Sequence, residues 1–242
     1  MSVPTPSIGS LLTNLTREPG RPRITWYGPD SERVELSGAV LENWVNKTTN
    51  LLVEEFDAGP GTRVLLDLPG HWRTVVWALA VWRAGACVVL EPSAGGRADV
   101  VVTTDPGAHP GAAELVAVSL PALARRFDGD VPPGAIDATA AVMTYGDAIG
   151  WAPEADGAAT ALIGPGGAVA HDALIPPVDE GRPGRPRVHV PATGTHGGRS
   201  VQRVLVDVLG ALAANGSVVL TCDVEPDRMH RLLAQEGALT GA

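Results

Sequence analysis

Apolar residues recur along the chain in two alternating rhythms, one helical and one extended. After a strand-like ITWYG, Ser37 precedes Leu41, Trp44, Val45, Thr48 and Leu52, whose i, i+3, i+4 spacing predicts a helix with one buried face. Ser37 is placed to cap it. TRVLLDLPG reads as an apolar strand closed by Pro69 and Gly70, leading into a helix over about 71–84. Trp72, Val75, Val76, Leu79 and Trp82 cover much of that helix's circumference, which predicts packing on several sides. Gly85 ends it, and ACVVLEP and ADVVVTTDP follow as short strands that are apolar throughout.

Pro and Gly make DGDVPPGAID and PPVDEGRPGRPR read as loops. VHVPATG then predicts a strand, and Ser200 the cap of a helix carrying Val204, Leu205, Val208 and Leu212. Asn215-Gly216 turns the chain into a strand, SVVLTCD. Pro226 opens a last helix with Met229, Leu232 and Leu233, stopped at Gly237. Between the loops, ATALIGPGGAVAHDALI (159–175) predicts an apolar strand, a glycine turn and the start of a helix. Many nucleotide-using proteins hold a phosphate at such a turn.

Continuously apolar strands alternating with helices predict an α/β fold of largely parallel sheets with helices on both faces. We expect a single α/β region over 1–242, divisible into a first lobe (1–127) and a second (138–242). Ligands of such folds bind at the carboxyl ends of strands.

The net charge of -9 at 242 residues excludes nucleic acid as the expected partner, since phosphate backbones require a basic face. The longest apolar run, TVVWALAVW, is far short of the roughly 20 residues a membrane span needs. MSVPTPSIGS has no secretory character, so a cytoplasmic location is expected. Cys87 and Cys222, each beside an apolar run, read as buried thiols in a reducing compartment. The six histidines form no ligand motif; His171, His189 and His196 are the one set that could share a metal, and no metal site is expected. Lys47 is the only lysine among 18 basic residues, and with abundant Ala, Gly, Val and Pro this implies a GC-rich, actinobacterial type of source.

The text RVELSGAVLENWVNKTTNLLVEEF, then GTRVLLDLPGHWRTVVWALAVWRAGACVVLEP and ADVVVTTDP, resembles the N-terminal part of adenylate-forming enzymes: acyl-CoA synthetases, luciferases and adenylation domains. VHVPATGTHGGRSVQRVLVDVLGALAANGSVVL and EPDRMHRLLAQEGAL are similar to later segments of that family. The resemblance places His196 on the histidine beside the family's acyl pocket. It also aligns GAVAHDALI, with His171, to the tail of the family's phosphate loop. Where the family carries a Ser/Thr/Gly loop with a lysine, this chain has IGPGG.

A phosphate loop aims N–H groups, hydroxyls and an ammonium at oxygens that gain charge. Pro165 removes one N–H, the bend has no hydroxyl, and Lys47 lies far upstream. The resemblance further implies that the adenine, ribose and second-lysine motifs would fall beyond Ala242. The expectation is therefore a truncated acyl-CoA synthetase-like pseudoenzyme, acting through ligand or protein binding. Gly166, Gly167, His196 and Arg199 are its candidate ligand contacts, without an assigned catalytic residue. No cofactor is required, although a residual cleft could retain affinity for AMP or CoA. An apolar face would be covered by a second copy or by another protein. Two alternatives stay open: a small enzyme acting on an acyl, CoA or nucleotide ligand around His196 and Arg199, and a structural partner subunit. Asp67, at a strand end, is expected to face solvent or cap a turn.

Overall fold

The computed structural model describes residues 7–91, 96–178, 184–192 and 198–240, excluding the side chains of residues 30, 198, 199, 239 and 240. The chain begins with α1 (Ile8–Leu15), β1 (Pro22–Tyr27), β2 (Arg33–Ser37), α2 (Gly38–Phe56), β3 (Arg63–Asp67), α3 (Trp72–Arg83) and β4 (Cys87–Val89). It continues with β5 (Val100–Thr103), β6 (Glu114–Ala117), β7 (Ile136–Asp137), a one-turn α4 (Ala138–Ala141), β8 (Thr160–Gly164) and β9 (Gly167–Ala170). The last elements are β10 (Arg187–Ala192), α5 (Gly198–Ala213), β11 (Ser217–Cys222), α6 (Pro226–Glu236) and β12 (Leu239–Thr240).

The strands form two sheets, ordered β12-β10-β11-β1-β2 and β7-β6-β5-β3-β4-β8-β9. All pairings are parallel except β1–β2 and β8–β9. Every residue of β4 and β5 is buried, the reason these strands read as apolar runs without alternation. Strands from distant parts of the chain share each sheet: β1 pairs with β11, and β4 with β8.

The predicted helices are present except the one expected after the glycine turn. Leu41, Val45, Thr48 and Leu52 of α2 are buried, and Ser37 accepts from the Val40 N–H. In α3 every residue from Trp72 to Trp82 is buried, because the helix packs on α1, α2, α5 and the strands β3 and β4. Gly85 follows its cap with φ +76°, which lets the Ala86 N–H reach back to the Val81 carbonyl. Gly237 ends α6 at φ +61° in the same left-handed region.

Three expectations change. Residues 159–175 do not run from strand to helix: β8 and β9 form an antiparallel hairpin, with Gly164 opposite Gly167 and a single 3-10 turn at His171–Ala173. Pro165 and Gly166 make the bend, and Gly167 at φ +95° supplies the left-handed residue that returns the chain onto β8. Ser200 lies inside the first turn of α5, which begins at Gly198, so it is not the N-cap. The end of DGDVPPGAID is not loop: Ile136 and Asp137 pair with Val116 and Ala117 as β7. Asp137 then caps α4 by accepting from the N–H groups of Thr139 and Ala140.

Candidate functional site

The glycine bend is shaped by a side chain. Gln202, on α5, accepts a hydrogen bond from the Gly166 N–H at 2.9 Å through its Oε1. A Cβ at Gly164 would lie 2.7 Å from Gln202 Oε1, and one at Gly166 would lie 2.6 Å from Gln202 Nε2. Both glycines are therefore explained by close approach of this amide. The bend N–H that could have faced a phosphate already has an acceptor.

The sole lysine is committed elsewhere. Lys47 Nζ donates to the Tyr145 carbonyl at 2.6 Å and pairs with the Asp147 carboxylate at 2.7 Å. Gly166 and Gly167 share the bend, but His196 lies outside the described residues, as does the side chain of Arg199, whose backbone opens α5. His171 follows β9, and burial lowers its pKa. His189 is elsewhere, on β10, with Nε2 2.9 Å from Thr221 Oγ1. Among the described residues, no group of three His, Cys, Asp or Glu side chains could hold a metal. No helix among them is long and apolar enough to cross a membrane.

Asp67 does more than face solvent. At the carboxyl end of β3 its Oδ2 accepts from Thr103 Oγ1 at 3.0 Å and from His109 Nε2 at 2.8 Å. Thr103 Oγ1 accepts in turn from the Asp105 N–H at 2.9 Å. These bonds fasten the turn after β5 to the end of β3. The sequence held no signal for the pair, since His109 is 42 positions from Asp67.

The carboxyl ends of both sheets meet at a cavity of about 500 Å³. β1 and β11 bring Trp26, Cys222 and Asp223; the segments after β3 and β6 bring Pro69, His71 and Leu120. The Glu32 carboxylate, also in the wall, accepts from Trp26 Nε1 at 2.9 Å and from the Ala122 N–H at 2.8 Å. His71 caps α3, its Nδ1 accepting from the Arg73 N–H at 3.1 Å, and its ring meets Trp26 edge-on at 4.5 Å. Burial, with Arg73 adding to it, pushes the His71 pKa down to about 3, so the ring is neutral at pH 7. Burial and then the neighbouring Asp223 carboxylate push the Cys222 thiol up to about 12. That thiol is not a nucleophile at neutral pH.

Arg73 itself is turned away. Its guanidinium stacks 4.4 Å from the Trp72 ring centroid, and its donors go to the Leu120 and Pro121 carbonyls at 3.2 and 3.3 Å. Among the described residues the wall thus carries two carboxylates, a neutral imidazole and apolar rings, and none of them bears a positive charge. It is suited to an apolar ligand that is neutral or cationic and opposes a triphosphate.

Two sheets of mostly parallel strands, packed with helices and cleft at their carboxyl ends, are the fold of acyl-CoA synthetases and adenylation domains, matching their N-terminal subdomains. An acyl-CoA synthetase of Brucella canis superposes with a TM-score of 0.73 at 15% identity, covering 96% of this chain and 46% of that one. Acetoacetyl-CoA synthetase of Streptomyces lividans gives a TM-score of 0.71 at 16% identity, covering 96% of this chain and 41% of that one. The N-terminal subdomain of Klebsiella oxytoca NpsA, in complex with anthranilyl-AMSN, gives 0.65 at 14% identity, with 96% and 57% covered. In sequence, the chain is 37% identical over 161 residues to a Mycobacterium tuberculosis protein described as "TIGR03089 family protein", matching 62% of this chain and 64% of that protein. The chain thus spans less than two thirds of the length of these relatives. No protein-family profile matches it.

Proposed function

We propose that this chain is a non-adenylating protein of the adenylate-forming fold and works by binding a small ligand in the cleft at the carboxyl ends of its sheets. The observation that carries this reading is the Gln202 amide, which packs against Gly164 and Gly166 and takes the Gly166 N–H. Two features support it: Lys47 is held by Tyr145 and Asp147, and the cleft wall is acidic rather than basic. We place the protein in the cytoplasm, where its two buried, free thiols stay reduced.

The test is turnover. Incubation with ATP, magnesium, CoA and a panel of carboxylic acids should release no pyrophosphate above the protein-free rate. Saturable, acid-dependent pyrophosphate release would overturn the proposal. A second reading, binding to another protein or to a second copy, is favoured by Trp151 and Met143, which are 70% and 58% exposed on one stretch of chain. Sedimentation velocity separates the two: a concentration-independent monomer removes the self-association form of that reading.

A further inference from the structure

A second cavity lies at the opposite edge of the seven-stranded sheet. Arg83 ends the helix leading into β4, and Ala158 precedes β8, so the space is at the amino ends of these strands. Its volume is about 670 Å³, and its walls come from the first turn of α1, the end of α3 and the segments around 149–158 and 171–175. About half of the lining is apolar, with Ile8, Trp82, Ile149, Leu174 and Ile175 as its larger side chains. The Trp82 indole N–H is already used, donating to the Ala161 carbonyl at 2.8 Å.

Two lining residues carry a buried nitrogen with no partner among the described residues, Arg83 Nη1 and His171 Nε2. They come from different elements, so one local irregularity does not explain both. Buried donors without acceptors are rare in folded proteins, and a buried guanidinium nitrogen is among the costliest to leave unpaired. Gly9, in the first turn of α1, borders the space beside Arg83. Burial lowers the pKa of Arg83, opposed by Glu42; burial likewise lowers that of His171, opposed by the Gly85 carbonyl, Asp156 and the Ala86 carbonyl. Glu154 and Asp172 also line the cavity, but both are exposed. Placed in solvent, they oppose a polyanion while leaving a single charge beside Arg83 tolerable.

We propose that this cavity binds an amphipathic monoanion, its head group accepting from Arg83 Nη1 and its apolar body lying against Trp82, Ile149, Leu174 and Ile175. The volume suits a ligand of small-metabolite size. The inference does not depend on the carboxyl-end cleft, whose described lining lacks an arginine.

Thermal unfolding and calorimetry with four eight-carbon probes test it: octanoate, octane sulfonate, octylamine and octanol, with inorganic phosphate as a fifth arm. Octanoate, octane sulfonate or both should bind and raise Tm; which of them does so identifies the head group. Octylamine and phosphate should leave Tm unchanged, and octanol should act weakly at most. In Arg83→Met the affinity should fall by about ten- to a hundredfold, the loss expected for one charge-assisted hydrogen bond. The unliganded variant should be no less stable than the parent, because an unpaired buried donor has been removed. Ile149→Trp, on an irregular segment, gives an independent check by narrowing the cavity, and it should weaken the same probes. Equal binding of octanol and octanoate, binding undiminished in Arg83→Met, or no binding of either anion overturns the proposal.

Discussion

Gln202 and His71 show how much a single side chain decides here. Gln202 crowds two glycines, yet the contact is with the end of a flexible chain, so Gly166→Ala should lose one hydrogen bond and about 1 kcal/mol. Gly216 is a different case. A Cβ there would lie 2.3 Å from the Pro186 carbonyl oxygen and 2.7 Å from that of Ala211, both backbone atoms, so Gly216→Ala should cost about 1–3 kcal/mol. Urea unfolding of the two variants compares them directly; equal losses would contradict this distinction. His71 makes a pH prediction. Its folded pKa of about 3 lies below the ordinary 6.5, so below pH 6.5 the unfolded chain binds the proton that the folded one refuses. Stability from this residue is complete above pH 6.5 and declines as pH falls toward 3, by about 2 kcal/mol between pH 7 and 5. His71→Asn keeps a side chain able to cap α3 and should flatten that slope; an unchanged slope would show that another group titrates.

At the scale of elements, what could be read in advance depended on how local the determinants were. The faces of α2 and α3 follow from 3.6-residue spacing, and Ser37 and Gly85 mark ends by their own backbone preferences. The hairpin at 160–170 was not legible as one, because a strand, a Pro-Gly bend and a histidine fit either a return strand or a helix entry. Tertiary pairing of β8 with β4 and the contact with Gln202, 36 residues downstream, belong to the observed choice. The segment after α4 was equally obscure, since partners on α2 hold it. Asn50 Nδ2 donates to the Gly146 and Ala148 carbonyls at 3.1 and 2.9 Å, and Asn46 Nδ2 to the Asp147 carbonyl at 2.8 Å. Asn50→Ala should therefore cost about 1–2 kcal/mol and hasten proteolytic cleavage within 145–150. A variant nicked no faster than the parent would mean that these bonds do not anchor the segment.

In the molecule as a whole, one apolar core joins both sheets through α1, α2, α3 and α5. β1 lies between β2 and β11, so strands separated by nearly the whole chain are neighbours. Unfolding should accordingly be one transition, with coincident urea curves from circular dichroism and tryptophan fluorescence. A fragment of residues 1–127 should fail to fold, having lost the strands beside β1 and β4. The family resemblance was legible from packing text, and the structural neighbours share that fold. What the site can do was legible only in part. The absence of lysine and hydroxyls from IGPGG could be read directly, but the acidic cleft, the engaged Lys47 and the unpaired Arg83 Nη1 are products of long-range folding.

The most direct measurement is the amide resonance of Gly166, followed by NMR as magnesium-ATP is added. With its N–H bonded to Gln202, that resonance should stay in place at millimolar nucleotide. A saturable shift of the Gly166 amide on ATP addition would place the phosphates at the bend and contradict a binding protein that does not adenylate.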